Sequence, residues 1–336
     1  MRTARVQAIA SHLPDAVLSN DTLAALYPGW TQDKIIEKTG VRERRIAAPG
    51  ETAGDLAYEA AVKLFAKSGV APDQIDFLLL CTQAPDYILP TTACLLQDRL
   101  GLRRDCGALD FNLGCSGFVY GLSLAKGLIE TGAANRVLLL TADTYSRFIH
   151  PLDKSVRTLF GDGAAATLIE AVEADQPQIG PFVFGTDGRG ANNLIVATGG
   201  ARRARDADSA VETTDASGNI RSLDNLHMKG AEIVSFTLKA VPAAIERLLG
   251  DANLTMDDID LFVFHQASAF ILDKLRNKIG IPPERFAIAL EACGNTVSST
   301  IPMALENGLG QAPGDRRAML VGFGVGYSWA ATCVRF

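Results

Sequence analysis

Two distant stretches of the chain repeat one order of apolar and polar positions. Gly69-Val-Ala-Pro-Asp-Gln-Ile-Asp-Phe-Leu-Leu-Leu-Cys-Thr-Gln-Ala and Ala252-Asn-Leu-Thr-Met-Asp-Asp-Ile-Asp-Leu-Phe-Val-Phe-His-Gln-Ala each read as a helix end, a turn, an Ile-Asp lead and an unbroken apolar run. In this register Ile75 matches Ile259, Asp76 matches Asp260 and Cys81 matches His265. Unbroken apolar runs such as Phe77–Cys81 and Leu261–Phe264 predict strands buried on both faces. Before the first run, Leu56, Ala60, Val62, Leu64 and Phe65 recur at broadly helical spacing and predict a helix over Asp55–Lys67.

The repeat extends further. Gly114-Cys115 pairs with Gly294-Asn295, each after an apolar segment expected to be a strand, around Ala108–Leu113 and Phe286–Ala292. Arg136-Val-Leu-Leu-Leu-Thr-Ala-Asp pairs with Arg317-Ala-Met-Leu-Val-Gly-Phe-Gly. Three matched segments in one order predict a duplicated α/β unit, with halves over 1–175 and 176–336. Sheets buried on both faces must be covered by helices, which predicts a layered α/β architecture. Between the copies, Gly185–Asn225 lacks periodicity and reads as a loop-rich connection that lines an entrance. The run Arg202-Arg203-Ala-Arg205-Asp-Ala-Asp-Ser within it reads as a solvated surface.

The repeat places Cys115, His265 and Asn295 at equivalent exits from the two sheets. Cys115 stands where a small-residue turn opens an amphipathic helix, a setting whose unpaired N–H groups favour thiolate. Gly114 and Gly117 on either side leave room for a substrate. Taken singly, a lone Cys also suits a core position, a His at a strand end a satisfied polar site, and an Asn after Gly a turn. Taken together, at matched exits that duplication brings to one junction, they describe a nucleophile with two hydrogen-bond donors, an acyl-transfer site.

Composition narrows the alternatives. The net charge of -6 supplies no global basic field for nucleic acid or an anionic membrane. No window approaches the length of a membrane span, and Met1–Pro14 carries no cleavage signature, so a cytoplasmic protein is expected. The six cysteines form no CxxC pair, and neither a disulfide framework nor a metal site is indicated.

Along essentially its whole length the chain resembles the thiolase-like condensing enzymes, and within them β-ketoacyl-acyl-carrier-protein synthase III. The resemblance rests on Thr39-Gly-Val-Arg-Glu-Arg-Arg-Ile, Gly114-Cys-Ser-Gly-Phe, Phe160-Gly-Asp-Gly-Ala-Ala, His265-Gln-Ala, Gly294-Asn-Thr and Gly324-Val-Gly-Tyr-Ser-Trp, in the family's order. It implies a five-layered αβαβα fold, a homodimer and a triad of Cys115, His265 and Asn295. It also implies acylation of Cys115 by a thioester and decarboxylative condensation with a malonyl thioester, without a bound cofactor. Coenzyme A or acyl carrier protein would present the substrates. By resemblance, the backbone N–H groups of Cys115 and Val325 form the oxyanion hole, with Val325 where the family usually has Gly.

Departures from the pattern fall on the residues expected to bind substrate. Lys34 and Lys38 align with a Trp and an Arg that grip the nucleotide of coenzyme A, with Trp30 nearby, and Lys154 aligns with a further Arg. Lysine meets phosphate as a point charge and lacks arginine's stacking and bidentate grip. After His265 the chain reads Gln266-Ala-Ser-Ala-Phe270, with Phe270 in place of an Arg that docks the acidic carrier protein. Lys274, Arg276 and Lys278 follow on the same expected helix. Leu89, in the loop Pro85–Pro90, stands where a Phe commonly limits the primer, so a primer longer or bulkier than acetyl is expected. These departures point to a specialised relative. Competing readings are acyl transfer to a hydroxyl or amine, a non-catalytic partner subunit, and a redox-sensing thiol, the last without a nearby resolving cysteine.

Overall fold

The computed structural model describes residues 1–309 and 316–336. The apolar runs lie in two sheets. The first has the order Arg2–His12, Gly163–Glu173, Arg136–Asp143, Phe77–Cys81, Gly107–Phe111. The second has the order Leu261–Phe264, Arg317–Gly324, Ser328–Arg335, Ile179–Thr186. Read from opposite ends, the sheets carry the same sequence of antiparallel, antiparallel and parallel pairings. All strands of the first sheet come from residues 2–173 and all of the second from 179–335.

The repeated Ile-Asp lead has a specific role in both copies. Asp76 accepts the N–H groups of Asn135 and Arg136 at 2.7 and 3.0 Å, and Asp260 accepts that of Arg317 at 2.8 Å. Each Asp thus satisfies the first backbone donors of the neighbouring strand and fixes its register.

Strand alternation sorts side chains into layers. Val137 and Leu139 face a middle core, whereas Leu138 and Leu140 face an outer one. In the second sheet Val263 and Leu320 face the same middle core, while Phe262, Phe264, Met319 and Val321 face the opposite outer core. Two helices, Gly117–Glu130 and Thr300–Leu309, fill the middle layer through Phe118, Leu122, Ile129, Ile301 and Leu305. Helices Ala53–Ser68 and Thr92–Arg99 cover the outside of the first sheet, and Gly230–Ala252 and Ala269–Ile279 that of the second. The result is helix, sheet, helix, sheet, helix.

Two predicted elements differ in their bounds. The helix expected over 55–67 starts at Ala53, because Thr52 and Asp55 form reciprocal caps at 3.1 and 2.9 Å. The strand expected around Phe286–Ala292 is reduced to a bridge between Phe286 and Phe262. Beyond that bridge, the Gln266 side chain takes over the pairing: its amide donates to the Ala287 carbonyl at 3.3 Å and accepts the Ala289 N–H at 2.8 Å. A side-chain amide here replaces the backbone peptide that a longer strand would supply. Gly185–Asn225 is loop-rich apart from short pieces, and Arg202–Asp208 is exposed, as the charge pattern predicts.

Candidate active site

Cys115 precedes Ser116, the N-cap of the helix Gly117–Glu130, so the thiol sits at a helix start as expected. The Ser116 hydroxyl pairs with that of Ser328 at 2.7 Å, tying this turn to the second sheet. That sheet approaches so closely that a Cβ on Gly322 would lie 2.6 Å from the Ser116 Cα, and one on Gly324 would lie 2.7 Å from the Cys115 Sγ. Any larger residue at these two positions would collide with the nucleophile turn. The backbone N–H groups of Val325 and Cys115 lie near the sulfur and favour its anion. Val325 keeps its donor, as a backbone group must, and its side chain packs beside Gly114.

Burial overturns one expectation. The helix start was expected to favour thiolate, but Cys115 is buried, and desolvation pushes its thiol up to about 12 against the pull of the two N–H groups. At rest Cys115 is therefore a thiol, and chemistry through its thiolate would need a proton acceptor.

His265 follows the last residue of the strand Leu261–Phe264, and its backbone N–H is bonded to the Val321 carbonyl at 2.9 Å. Its Nδ1 lies 2.7 Å from the Thr300 Oγ1, and the Thr300 hydroxyl donates to the Val297 carbonyl at 3.0 Å. With the Thr300 proton so used, the oxygen accepts, which assigns the imidazole proton to Nδ1 and leaves a lone pair on Nε2. Burial lowers the His265 pKa to about 3, so the ring is neutral. In this tautomer Nε2 donates only after taking up a proton, which revises the expectation that neutral His265 is a donor from the outset.

Asn295 is held by backbone bonds to Leu159 and Gly161 at 2.9 and 3.1 Å. Its Oδ1 accepts the Val297 N–H at 2.9 Å, which orients Nδ2 toward His265 Nε2 at 3.4 Å. Val297, fully buried, adopts φ 56°, a conformation that a β-branched residue rarely takes. The turn therefore holds strain beside the two polar groups.

Cys115, His265 and Asn295 line one cavity of about 260 Å³ together with Phe160, Phe323 and Gly324. Trp30, Lys38, Lys154 and Phe270 line it as well. The ammonium groups of Lys34 and Lys38 lie 5.4 and 5.9 Å from the Trp30 ring centroid, and that of Lys274 lies 4.7 Å from Phe270. Trp30 under Lys34 and Lys38 thus stands where the family pattern has a Trp and an Arg, and Phe270 under Lys274 where it has an Arg. Lys154 bonds the Ser217 carbonyl at 2.6 Å.

Three expected substrate residues lie elsewhere. Lys34 reaches the Gly29 carbonyl at 2.9 Å and does not line the cavity. Gln266 is buried, with its amide engaged by Phe264, Ala287 and Ala289. Leu89 lies on an exposed loop with Tyr87 and Ile88 and is 79% exposed. Nor does 185–225 line this cavity; Gly199, Gly200, Ala201, Ala204 and Arg205 border a separate one. Among the described residues no group of acidic, Cys and His side chains could hold a metal ion.

Sequence reasoning missed Thr300 and Gly324 as contributors. Thr300 lies five residues beyond Asn295, on a helix packed against the other elements, and no spacing rule links it to His265. Gly324 was quoted only as part of a motif, although its match to Asp143 in the repeat marked it as a position where side-chain size differs.

Two family models match the chain: 3-oxoacyl-(acyl-carrier-protein) synthase III over residues 109–188, and the C-terminal model of the same family over 249–336. A β-ketoacyl-(acyl-carrier-protein) synthase III 2 from Halalkalibacterium halodurans is 35% identical over 336 residues, which cover 99% of this chain and 96% of that protein. The chain belongs to the β-ketoacyl-acyl-carrier-protein synthase III family. A crystal structure of another 3-oxoacyl-(acyl-carrier-protein) synthase III matches with TM-score 0.98 and 62% identity, over 99% of this chain and 100% of that one. The priming β-ketosynthase of the R1128 polyketide biosynthetic pathway matches with TM-score 0.87 and 30% identity, over 100% and 96%. The five layers are therefore the thiolase-like fold of the synthase III family, and the chain is an acyl-transferring condensing enzyme.

Proposed function

We propose that this synthase III relative loads an acyl group from a thioester onto Cys115 and condenses it with a malonyl thioester, releasing CO2. The observation that carries this reading is the convergence of Cys115, His265 and Asn295, from three different elements, on one cavity. As Sγ attacks the acyl carbonyl, His265 Nε2 takes the thiol proton. The tetrahedral oxyanion lies against the N–H groups of Cys115 and Val325. Collapse expels the thiolate of the acyl donor, which recovers the proton from Nε2 and leaves as a thiol.

In the second half-reaction the malonyl carboxylate departs as CO2, and its bonding pair forms an enolate whose oxygen is met by Asn295 Nδ2. The enolate carbon attacks the acyl carbonyl and expels Cys115 as thiolate. One proton, taken up from solvent, restores the thiol, with His265 Nε2 as its carrier. No bound cofactor is needed, because the electron pair comes from the lost carboxylate.

Trp30, Lys38, Lys154 and Phe270 are the groups we assign to the thioester carrier, with Lys34 and Lys274 completing the cation–aromatic contacts around the two rings. Coenzyme A or an acyl carrier protein would be that carrier. Gln266 would act indirectly, by shaping the turn after His265. A homodimer is supported by the open edge of the strand Gly107–Phe111 and by the exposed Tyr87, Ile88 and Leu89. In such a dimer Leu89 would reach a site only across the interface, where it would allow a primer longer or bulkier than acetyl. Among the described residues no helix is long and apolar enough to cross a membrane, which fits a cytoplasmic location.

The test is a matrix of acyl thioesters against malonyl-coenzyme A and malonyl-carrier protein, with Cys115→Ala as control. CO2 release with a β-keto product is expected. Ester or amide formation without CO2 would replace this reading by simple acyl transfer, and product from Cys115→Ala would overturn the nucleophile.

A further inference from the structure

A second cavity, of about 990 Å³, lies beyond the loop that follows the strand Phe77–Cys81. Its walls include Ala84, Pro85, Ile88, Phe148 and Ala204, together with the polar Gln83, Asp86, Arg147 and Arg205. None of these residues lines the catalytic cavity, so the two spaces are separate. Tyr145 stands between them. One neighbour of its ring is Phe160, which lines the catalytic cavity, at a centroid distance of 5.2 Å. The other is Phe148, which lines the second cavity, at 5.8 Å and edge-on. Tyr145 also belongs to the same buried apolar cluster as Cys115.

The partition is locked by polar contacts. The Tyr145 hydroxyl donates to Gln83 Oε1, and Gln83 Nε2 donates to Asn112 Oδ1 at 3.1 Å. The Gln83 backbone N–H is held by Asp143 at 2.8 Å. The locked amide lies against the nucleophile turn, since a Cβ on Gly114 would meet Gln83 Oε1 at 2.5 Å.

We infer that Tyr145 limits primer length, by closing the space behind Cys115 against a cavity that could otherwise take an alkyl chain. This rests on the acyl-enzyme reading above. A long alkyl primer would have to displace a buried ring and break the Tyr145–Gln83 bond while offering no replacement, which is the costly kind of polar loss. A short primer leaves the lock intact. Leu89 would relax the limit from across the interface, whereas Tyr145 sets the limit behind Cys115, on a cavity that the Pro85–Ile88 segment of the same loop borders.

The experiment is acylation of Cys115 by straight-chain acyl-coenzyme A thioesters from acetyl to decanoyl, followed by intact-protein mass spectrometry. In the unaltered enzyme octanoyl transfer is expected to run at least about a hundredfold slower than acetyl transfer. Tyr145→Ala, which removes the partition, should raise the octanoyl-to-acetyl ratio by about tenfold or more. Tyr145→Phe, which keeps the ring and deletes the lock, should raise it by less. Tyr145→Leu carries the same expectation as Tyr145→Ala if the smaller side chain prevents folding. An unchanged ratio in Tyr145→Leu or Tyr145→Ala, with acetyl transfer retained, overturns the inference and leaves the acyl-enzyme reading standing. Equal octanoyl and acetyl rates in the unaltered enzyme overturn it too. Absence of any adduct with every thioester defeats the acyl-enzyme reading and this inference with it.

Discussion

The two sheet exits are built alike and used differently. At the first, Cys81 and Asp143 end neighbouring strands; at the second, the matched positions hold His265 and Gly324. Cys81 is fully buried, its thiol is pushed well up by desolvation, and it donates to the Leu113 carbonyl. Asp143 is buried with its pKa raised to about 7, and it accepts from Gln83, the Ser298 hydroxyl and the Ser298 N–H. Asp143 thus braces the turn that carries Asn295, and Cys81 the turn that carries Cys115. The second exit supplies an imidazole and an empty space, and that space is where the Cys115 sulfur lies. Duplication thus gave one frame, and exchange of side-chain size and charge at matched positions divided it into a brace and a chamber that holds the Cys115 sulfur.

The sharpest way to break this division is to delete the two thiols separately. Cys115→Ala should abolish the acyl adduct and reduce condensation by about 10⁴-fold or more. Cys81→Ala should leave the adduct in place, and an equal loss in both variants would refute the contrast. Next in size is Asn295→Ala, for which removal of a standing oxyanion donor should cost about 10²–10³ in CO2 release. Acylation of Cys115 should survive in that variant, so single-turnover adduct formation and decarboxylation must be measured apart.

A methyl group at the second exit should also be felt. Gly324→Ala places a Cβ 2.7 Å from the sulfur, and an ångström of displacement costs on the order of 10² in acylation rate. Near-normal kcat with acetyl-coenzyme A would show that the chamber is less filled than the geometry indicates. Thr300→Val removes the acceptor that fixes the His265 proton on Nδ1, and about a tenfold loss in kcat is expected, with recovery in Thr300→Ser. A loss that appears only in KM would argue against a positioning role.

The mildest test is titration. With the Cys115 thiol raised to about 12, thiolate in the free enzyme rises tenfold per pH unit between about pH 6 and 9. Iodoacetamide labelling should therefore climb with a slope near one and show no plateau in that range. A plateau near neutrality would mean that the helix start outweighs burial after all.

The Tyr145 partition adds a second contrast, between the two cavities. No repeat or motif marks Tyr145, since it follows the matched strand Arg136–Asp143 in an unmatched turn. By comparison, the strands Phe77–Cys81, Gly107–Phe111, Arg136–Asp143, Leu261–Phe264 and Arg317–Gly324, the helix Ala53–Ser68, the helix that Cys115 opens and the three matched exits were legible because both copies had to preserve apolar runs and Asp leads. The strands Arg2–His12, Gly163–Glu173, Ile179–Thr186 and Ser328–Arg335, in contrast, lie outside the matched segments. The second copy was misjudged at Phe286–Ala292, before Gly294-Asn295, where Gln266 supplies through its side chain what the backbone pattern had led one to expect from a strand.

Sequence alone determined the duplicated frame, because apolar periodicity and the anchoring Asp76 and Asp260 are local or nearly local requirements of buried strands. It also determined that Cys115 opens a helix, because small residues before an amphipathic segment specify that turn. Tertiary structure alone decided the protonation and orientation of the site. Burial made Cys115 a thiol and His265 a neutral imidazole, Thr300 chose its tautomer, and Gly324 left room for the sulfur. Each of these depends on the dielectric and packing that distant segments create when they meet, and a linear pattern carries neither.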